Sequence, residues 1–144
     1  MTEQNSIKIH WSFWLISALA FVWNAMGVLN FFVQMNPEIV ASFPDSHRAI
    51  INDRPVWATI GFAFAVFGGT IGCLLLLLRK SVAFYLFILS LLGVILTMIH
   101  AIGVANSIAN FRMPDLILMI VMPVVVAVFL VWYSRWAHNK NWID

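Results

Sequence analysis

A chain of 144 residues that is 62% hydrophobic and only 10% charged, with a mean hydropathy of +0.93, cannot present a water-soluble surface. Soluble domains carry roughly 25% charged residues. Eight basic and six acidic side chains leave a net charge of +2, so there is no basic stripe to track a phosphate backbone and no nucleic-acid partner is expected. The lone cysteine, Cys73, excludes an intrachain disulfide, a multi-cysteine metal site and a Cys-x-x-Cys electron shuttle. The composition is that of an integral membrane protein whose first partner is the lipid bilayer.

Four stretches lack Asp, Glu, Lys and Arg: Trp11–Met35, Val56–Leu78, Ser81–Phe111 and Leu116–Ser134. At 1.5 Å per residue, about 20 residues cross the ~30 Å hydrocarbon layer, and each stretch is long enough. Runs such as Leu74–Leu78 and Val124–Val126 show no period-2 alternation, which excludes barrel strands and leaves helices. The expectation is an all-α membrane protein: a single transmembrane domain over 1–144. It is an antiparallel four-transmembrane-helix bundle, with helices at about 11–35, 56–78, 82–110 and 115–136. The first apolar run continues past Ala18-x-Ala20 to Phe32, so it is read as a permanent helix, not a cleaved signal peptide.

The connections differ in kind. Arg79-Lys80 forces a tight helical hairpin between the second and third spans. Pro114, in Arg112-Met113-Pro114-Asp115, suits the first turn of the last helix. The link 36–55 holds Pro37, Pro44 and Pro55, and a short interfacial helix is expected within Pro37–Phe43. Lys8, Arg79, Lys80, Arg135 and Lys140 fall on one side and Arg48, Arg54 and Arg112 on the other. The positive-inside rule then puts both termini in the cytoplasm and the link outside. Trp11, Trp14, Trp132 and Trp136 would form an inner aromatic belt, with Trp57 marking the outer one.

Polar groups inside the spans are the candidates for function, because each is costly in lipid. The first helix carries Asn24, Asn30 and Gln34, with Gly27 on the same side; the third carries Gly93, Thr97, His100, Gly103, Ser107 and Asn110 on one stripe. The second carries Gly61, Ala65, Gly68 and Gly72, a small-residue row that permits close helix approach. Pro123 should kink the last helix, and Met113, Met119 and Met122 are soft fillers. By depth, polarity gathers in the outer half over an apolar floor, as an outward-facing polar cup. Asn24, Asn30, Gln34, Thr97 and His100 would line it as ligand-binding residues. Asn and Gln in a bundle also serve as interhelical hydrogen-bond donors, and a histidine near a helix end can simply bond a carbonyl. His47 and Arg48 are either solvated loop residues or a lid able to hold an anionic group.

No acid lies within a span, so a carboxylate proton relay is absent. The four histidines do not pair at one depth for haem, and no metal, cofactor or catalytic residue is expected. The expected function is binding or transport of a small polar molecule through the cup, not an enzyme activity. A transporter this small would work as a homo-oligomer. The alternative is a non-transporting accessory subunit that grips a membrane-protein partner through helix–helix contacts.

Trp57-Ala58-Thr59-x-Gly61-Phe62-Ala63-Phe64-Ala65-Val66-Phe67-Gly68-Gly69-x-x-Gly72-Cys73, running into Leu74–Leu78 and Arg79-Lys80-Ser81, resembles a group of short bacterial four-helix inner-membrane proteins. Trp23-Asn24-x-x-Gly27 and Val131-Trp132-Tyr133-Ser134 are similar to the same group, whose members often carry the label "sugar transporter". The resemblance implies four helices in a bacterial cytoplasmic membrane and assigns no site residues.

Overall fold

The computed structural model describes residues 8–107, 114 and 117–144. Among them every regular element is helical, and no strand occurs. The elements are α1 (Trp11–Gln34), α2 (Pro37–Val40), α3 (Asp45–Asn52), α4 (Val56–Leu77), α5 (Ala83–Ser107), a π-helical turn (Ile117–Val121) and α6 (Met122–Asn139). Glu3, Asn110, Arg112, Met113 and Asp115 lie outside the described residues, as do the side chains of Ser107 and Met119.

Among the described residues three helices are long and apolar enough to cross a membrane: Trp11–Gln34, Val56–Leu77 and Ala83–Val104. Their surfaces match that role. Leu29 is 66% exposed, Leu19 62% and Val56 75%, which in water would be an aggregation hazard and in lipid is ordinary solvation. The fourth long helix, α6, is not among the three, because its second half brings in Ser134, Arg135, His138 and Asn139. The expected start of that helix is also altered: the five residues before Met122 form a π turn. Pro123 lies at the first positions of α6. A proline has no N–H and clashes with the carbonyl four residues back, and a π turn immediately before it accommodates both.

α4 and α5 form the main hairpin, with α1 laid on α4 and α6 on α5. The glycines explain how close the hairpin is. A Cβ on Gly93 would meet Ala65 N at 2.7 Å and the Gly61 carbonyl, and one on Gly61 would meet Leu96 Cβ at 2.8 Å. Gly72 leaves room for the Phe87 ring, which a Cβ would approach to 2.7 Å. The small-residue row of α4 therefore faces the chain's own α5.

One end of the bundle is sealed. Phe13, Leu76, Phe87, Leu130, Tyr133 and Ile143 form a buried cluster there, with Phe13 stacked on Tyr133 at 6.4 Å and edge-on to Trp142 at 6.0 Å. The tail reaches this cluster by turning back at Asn141, whose φ of 57 is the left-handed conformation that ends a helix and that Asn tolerates. The α4–α5 turn is secured to the tail: Arg79, also left-handed with φ 62, donates from Nε to Trp142 O at 2.8 Å, and Asp144 N donates to Arg79 O at 2.8 Å.

The opposite end is looser and is covered by the link between α1 and α4. The expected short helix is present as α2, capped by Asn36, whose side chain accepts from Glu38 N at 3.0 Å. A second helix, α3, was not expected. Pro44 precedes it, Asp45 stands in its first turn, and Ile50 is its buried contact. These are a start signal and an inward-facing residue within eight positions.

Candidate functional site

α1 lies on α4 and α6 on α5, and at the sealed end Phe13 of α1 meets Tyr133 of α6 and Trp142 of the tail. Above that contact lies a cavity of about 660 Å³, a size typical of ligand sites, which run about 300–1,000 Å³. Its wall on α1 runs from Gln34 down to Trp23, and on α5 from Ala101 down to Phe87. At 1.5 Å per residue that is a depth of about 15–20 Å.

Four of the five expected site residues line this cavity: Asn24, Asn30, Gln34 and Thr97. They are not equivalent. Gln34 and Asn30 stand near the mouth, below the link. Asn24 is deep and only 9% exposed; its Nδ2 donates to Ala20 O at 2.9 Å and to Cys73 Sγ at 3.6 Å, and its amide oxygen lies against Gly69. Asn24 therefore ties α1 to α4 as well as reaching the cavity. Thr97 Oγ1 donates to Gly93 O, four residues back in its own helix, at 2.9 Å.

His100 does not join them. It lines a separate shallow cleft with Ala49, Asp53, Trp57, Ile99, Gly103 and Val104. Its Nε2 lies 3.0 Å from Ile50 O; a carbonyl only accepts, so Nε2 carries the hydrogen and donates. Trp57 packs edge-on against the ring at 6.3 Å. His100 fastens α3 to α5 and so holds the cover of the cavity without facing into it.

Three polar residues of the cavity wall were outside the expected set. Arg54 precedes α4 and is half-buried. Its Nη1 donates to Gln34 Oε1 at 2.8 Å, and its guanidinium lies 5.1 Å from the centre of the Phe62 ring. Its Nε is buried and meets no acceptor among the described residues. Burial lowers its pKa from the ordinary value, because removing a cation from water disfavours its charge. The second is His47, carried on α3 to the mouth. Its place at the mouth fits the second of its two expected roles, solvated loop residue or lid. Its neighbour Arg48 pairs with Asp45 on the surface of α3 instead. The third is Ser90, whose Oγ donates to Ala65 O at 2.6 Å across the α4–α5 contact.

The lining is thus graded. The mouth holds Asn30, Gln34, His47 and Arg54, with Phe43 and Phe62; the lower part holds Val66, Phe87, Val94, Val126 and Leu130, with Asn24 and Ser90 as its polar groups. Among the described residues no Asp or Glu lines it, and no three His, Cys, Asp or Glu side chains cluster as metal ligands do. Comparison with protein-family models, with curated proteins and with solved structures gives no match for the chain.

Proposed function

We propose that this chain binds, and in an assembled form transports, a small molecule through the cavity between α1 and α6. The observation that carries the reading is the gathering of Asn30 and Gln34 from α1, Thr97 from α5 and Arg54 from the segment before α4 around one 660 Å³ space. Polar groups in a membrane bundle that merely bond helices together do not need a cavity between them. This reading includes no catalysis and no resident metal or cofactor.

The proposed setting is a bacterial cytoplasmic membrane crossed four times. The π turn and α6 together make the fourth crossing; from Ile117 to Asn139 they span roughly 34 Å at 1.5 Å per residue. The sealed end with Arg79, Lys80 and Arg135 faces the cytoplasm by the positive-inside rule, and the covered mouth faces outward. One such bundle is small for alternating access, so transport is assigned to a homo-oligomer. The accessory-subunit reading draws on the α4 glycines, which in this fold meet α5 and Asn24; no observation favours it over the cavity.

Native mass spectrometry of the protein extracted gently from its own membrane tests the proposal. The expected result is a small molecule held in fixed ratio to the chain, and lost in Asn30→Ala and Gln34→Ala. A chain that arrives bare, or bound only to another protein, would overturn it.

A further inference from the structure

We infer that the ligand of this cavity is an anionic amphiphile: a negatively charged head seated at Arg54 and an alkyl chain laid along the lower wall. The inference rests on the proposal that the cavity is a binding site, and it names the chemistry of the occupant.

Three observations lead to the head group. Among the described residues Arg54 is the arginine of the mouth, and none of them brings a carboxylate to the cavity wall to neutralise it. Its known partners are an amide oxygen, Gln34 Oε1, and the face of Phe62, both of which leave the charge in place. Its Nε adds a buried donor with no protein acceptor among the described residues. A guanidinium has five N–H donors in a planar fork matched to two oxygens of one carboxylate or phosphate. His47 and the Asn30 amide stand at the same mouth and supply further donors.

Three observations lead to the chain. Below the mouth the wall turns mainly to Val66, Phe87, Val94, Val126 and Leu130, and the two polar side chains at that depth, Asn24 and Ser90, spend their donors on Ala20 O, Cys73 Sγ and Ala65 O. The depth of about 15–20 Å along α1 and α5 matches half of the ~30 Å hydrocarbon layer, which is the reach of an alkyl chain in one leaflet. The flank between α1 and α6 is bordered by exposed Trp23 and Met26 on one side and Leu118 on the other. An alkyl chain can enter through such a flank from lipid while its head stays level with Arg54. A wholly polar solute would have to fill the lower part with water or leave it empty.

The test uses the full-length protein in an uncharged polyoxyethylene detergent, with bound molecules counted by native mass spectrometry. The probes are dodecanoate, a phosphatidylglycerol, dodecanol as chain without charge, and butyrate and inorganic phosphate as charge without chain. The expected result is one dodecanoate or one phosphatidylglycerol per chain, with whichever binds more tightly identifying a free acid or a membrane lipid as the source. Dodecanol, butyrate and phosphate should bind at least about tenfold more weakly. Arg54→Gln should weaken the amphiphile about tenfold or more, Arg54→Lys less, since an ammonium keeps the charge and loses the fork. Val126→Trp, which fills the lower wall and leaves Arg54 untouched, should also abolish binding. Dodecanol binding as well as dodecanoate overturns the anionic head; butyrate or phosphate binding as well as dodecanoate overturns the chain. In both cases the cavity survives as a site. If nothing binds and Arg54→Gln and Val126→Trp change nothing, the binding-site proposal falls with it.

Discussion

Arg54 reaches across the mouth of the cavity to Gln34, with Nη1 donating to Oε1 at 2.8 Å, and so joins the segment entering α4 to the last turn of α1. A hydrogen bond to a charged group contributes about 1.5–3 kcal/mol when buried, and less here because Arg54 is only half-buried. A double-mutant cycle of Gln34→Ala and Arg54→Ala, read from chemical unfolding in detergent, should give a coupling of about 1 kcal/mol. A coupling near zero would mean that the two side chains do not hold the mouth together.

The α4–α5 hairpin should respond to added methyl groups in a fixed order. A Cβ on Gly93 meets backbone, Ala65 N at 2.7 Å, which no rotamer change relieves. Gly93→Ala should therefore destabilise by about 1–3 kcal/mol. At Gly72 the obstacle is the Phe87 ring at 2.7 Å, which can tilt, and at Gly68 the nearest atom is already 3.5 Å away. A Cβ added to Gly103 would meet no described atom within 4 Å, and there alanine should stabilise by up to about 1 kcal/mol through helix propensity. Thermal midpoints in detergent should rank Gly103→Ala highest, then Gly68→Ala, Gly72→Ala and Gly93→Ala. A different order would contradict the observed helix approach.

The long helices were legible because charge-free runs in lipid leave few alternatives. Expected bounds of 11–35 and 56–78 compare with Trp11–Gln34 and Val56–Leu77. The site was only half legible, for a geometric reason. Thr97 and His100 share a stripe by spacing, yet three residues at 100° each leave them about 60° apart around α5. The edge of the cavity falls within that angle. The cavity face of α5 is Phe87, Ser90, Val94, Thr97, Met98 and Ala101, and His100 turns to α3. Arg54 was counted only as a loop charge, because nothing in its sequence neighbourhood shows that α3 folds over it. The signals for α3 are Pro44-Asp45 and the spacing of His47 to Ile50 and Ile51, and a helix of 8 residues inside a link with three prolines is too short for that periodicity to stand out.

Asn24 should behave as a joint as much as a cavity residue. Its Nδ2 holds Ala20 O at 2.9 Å and reaches Cys73 Sγ at 3.6 Å, and Cys73 is fully buried. Asn24→Ala should cost about 0.6–1.7 kcal/mol, between the average and the largest contribution of polar contacts in a membrane bundle. It should also open a path from the cavity to the thiol. Cys73 in the unaltered protein should resist N-ethylmaleimide, and the variant should be labelled several-fold faster under the same native conditions. Equal labelling rates would show that Asn24 does not shield Cys73.

His100 should govern the cover of the cavity and not its contents. Its Nε2–H to Ile50 O bond at 3.0 Å is what α5 offers α3, and a neutral bond of this kind contributes about 1 kcal/mol. His100→Ala should release α3, so that limited proteolysis in 36–55 accelerates about fivefold, as a 1 kcal/mol change in local opening implies. His100→Gln retains an N–H donor and should recover most of the protection. Ligand retention in His100→Ala should fall less than in Arg54→Gln, because no ligand-facing group has been removed. If His100→Ala instead abolished ligand retention while leaving proteolysis of the link unchanged, the ring would have to face the ligand, and its assignment as the fastener of α3 would be wrong.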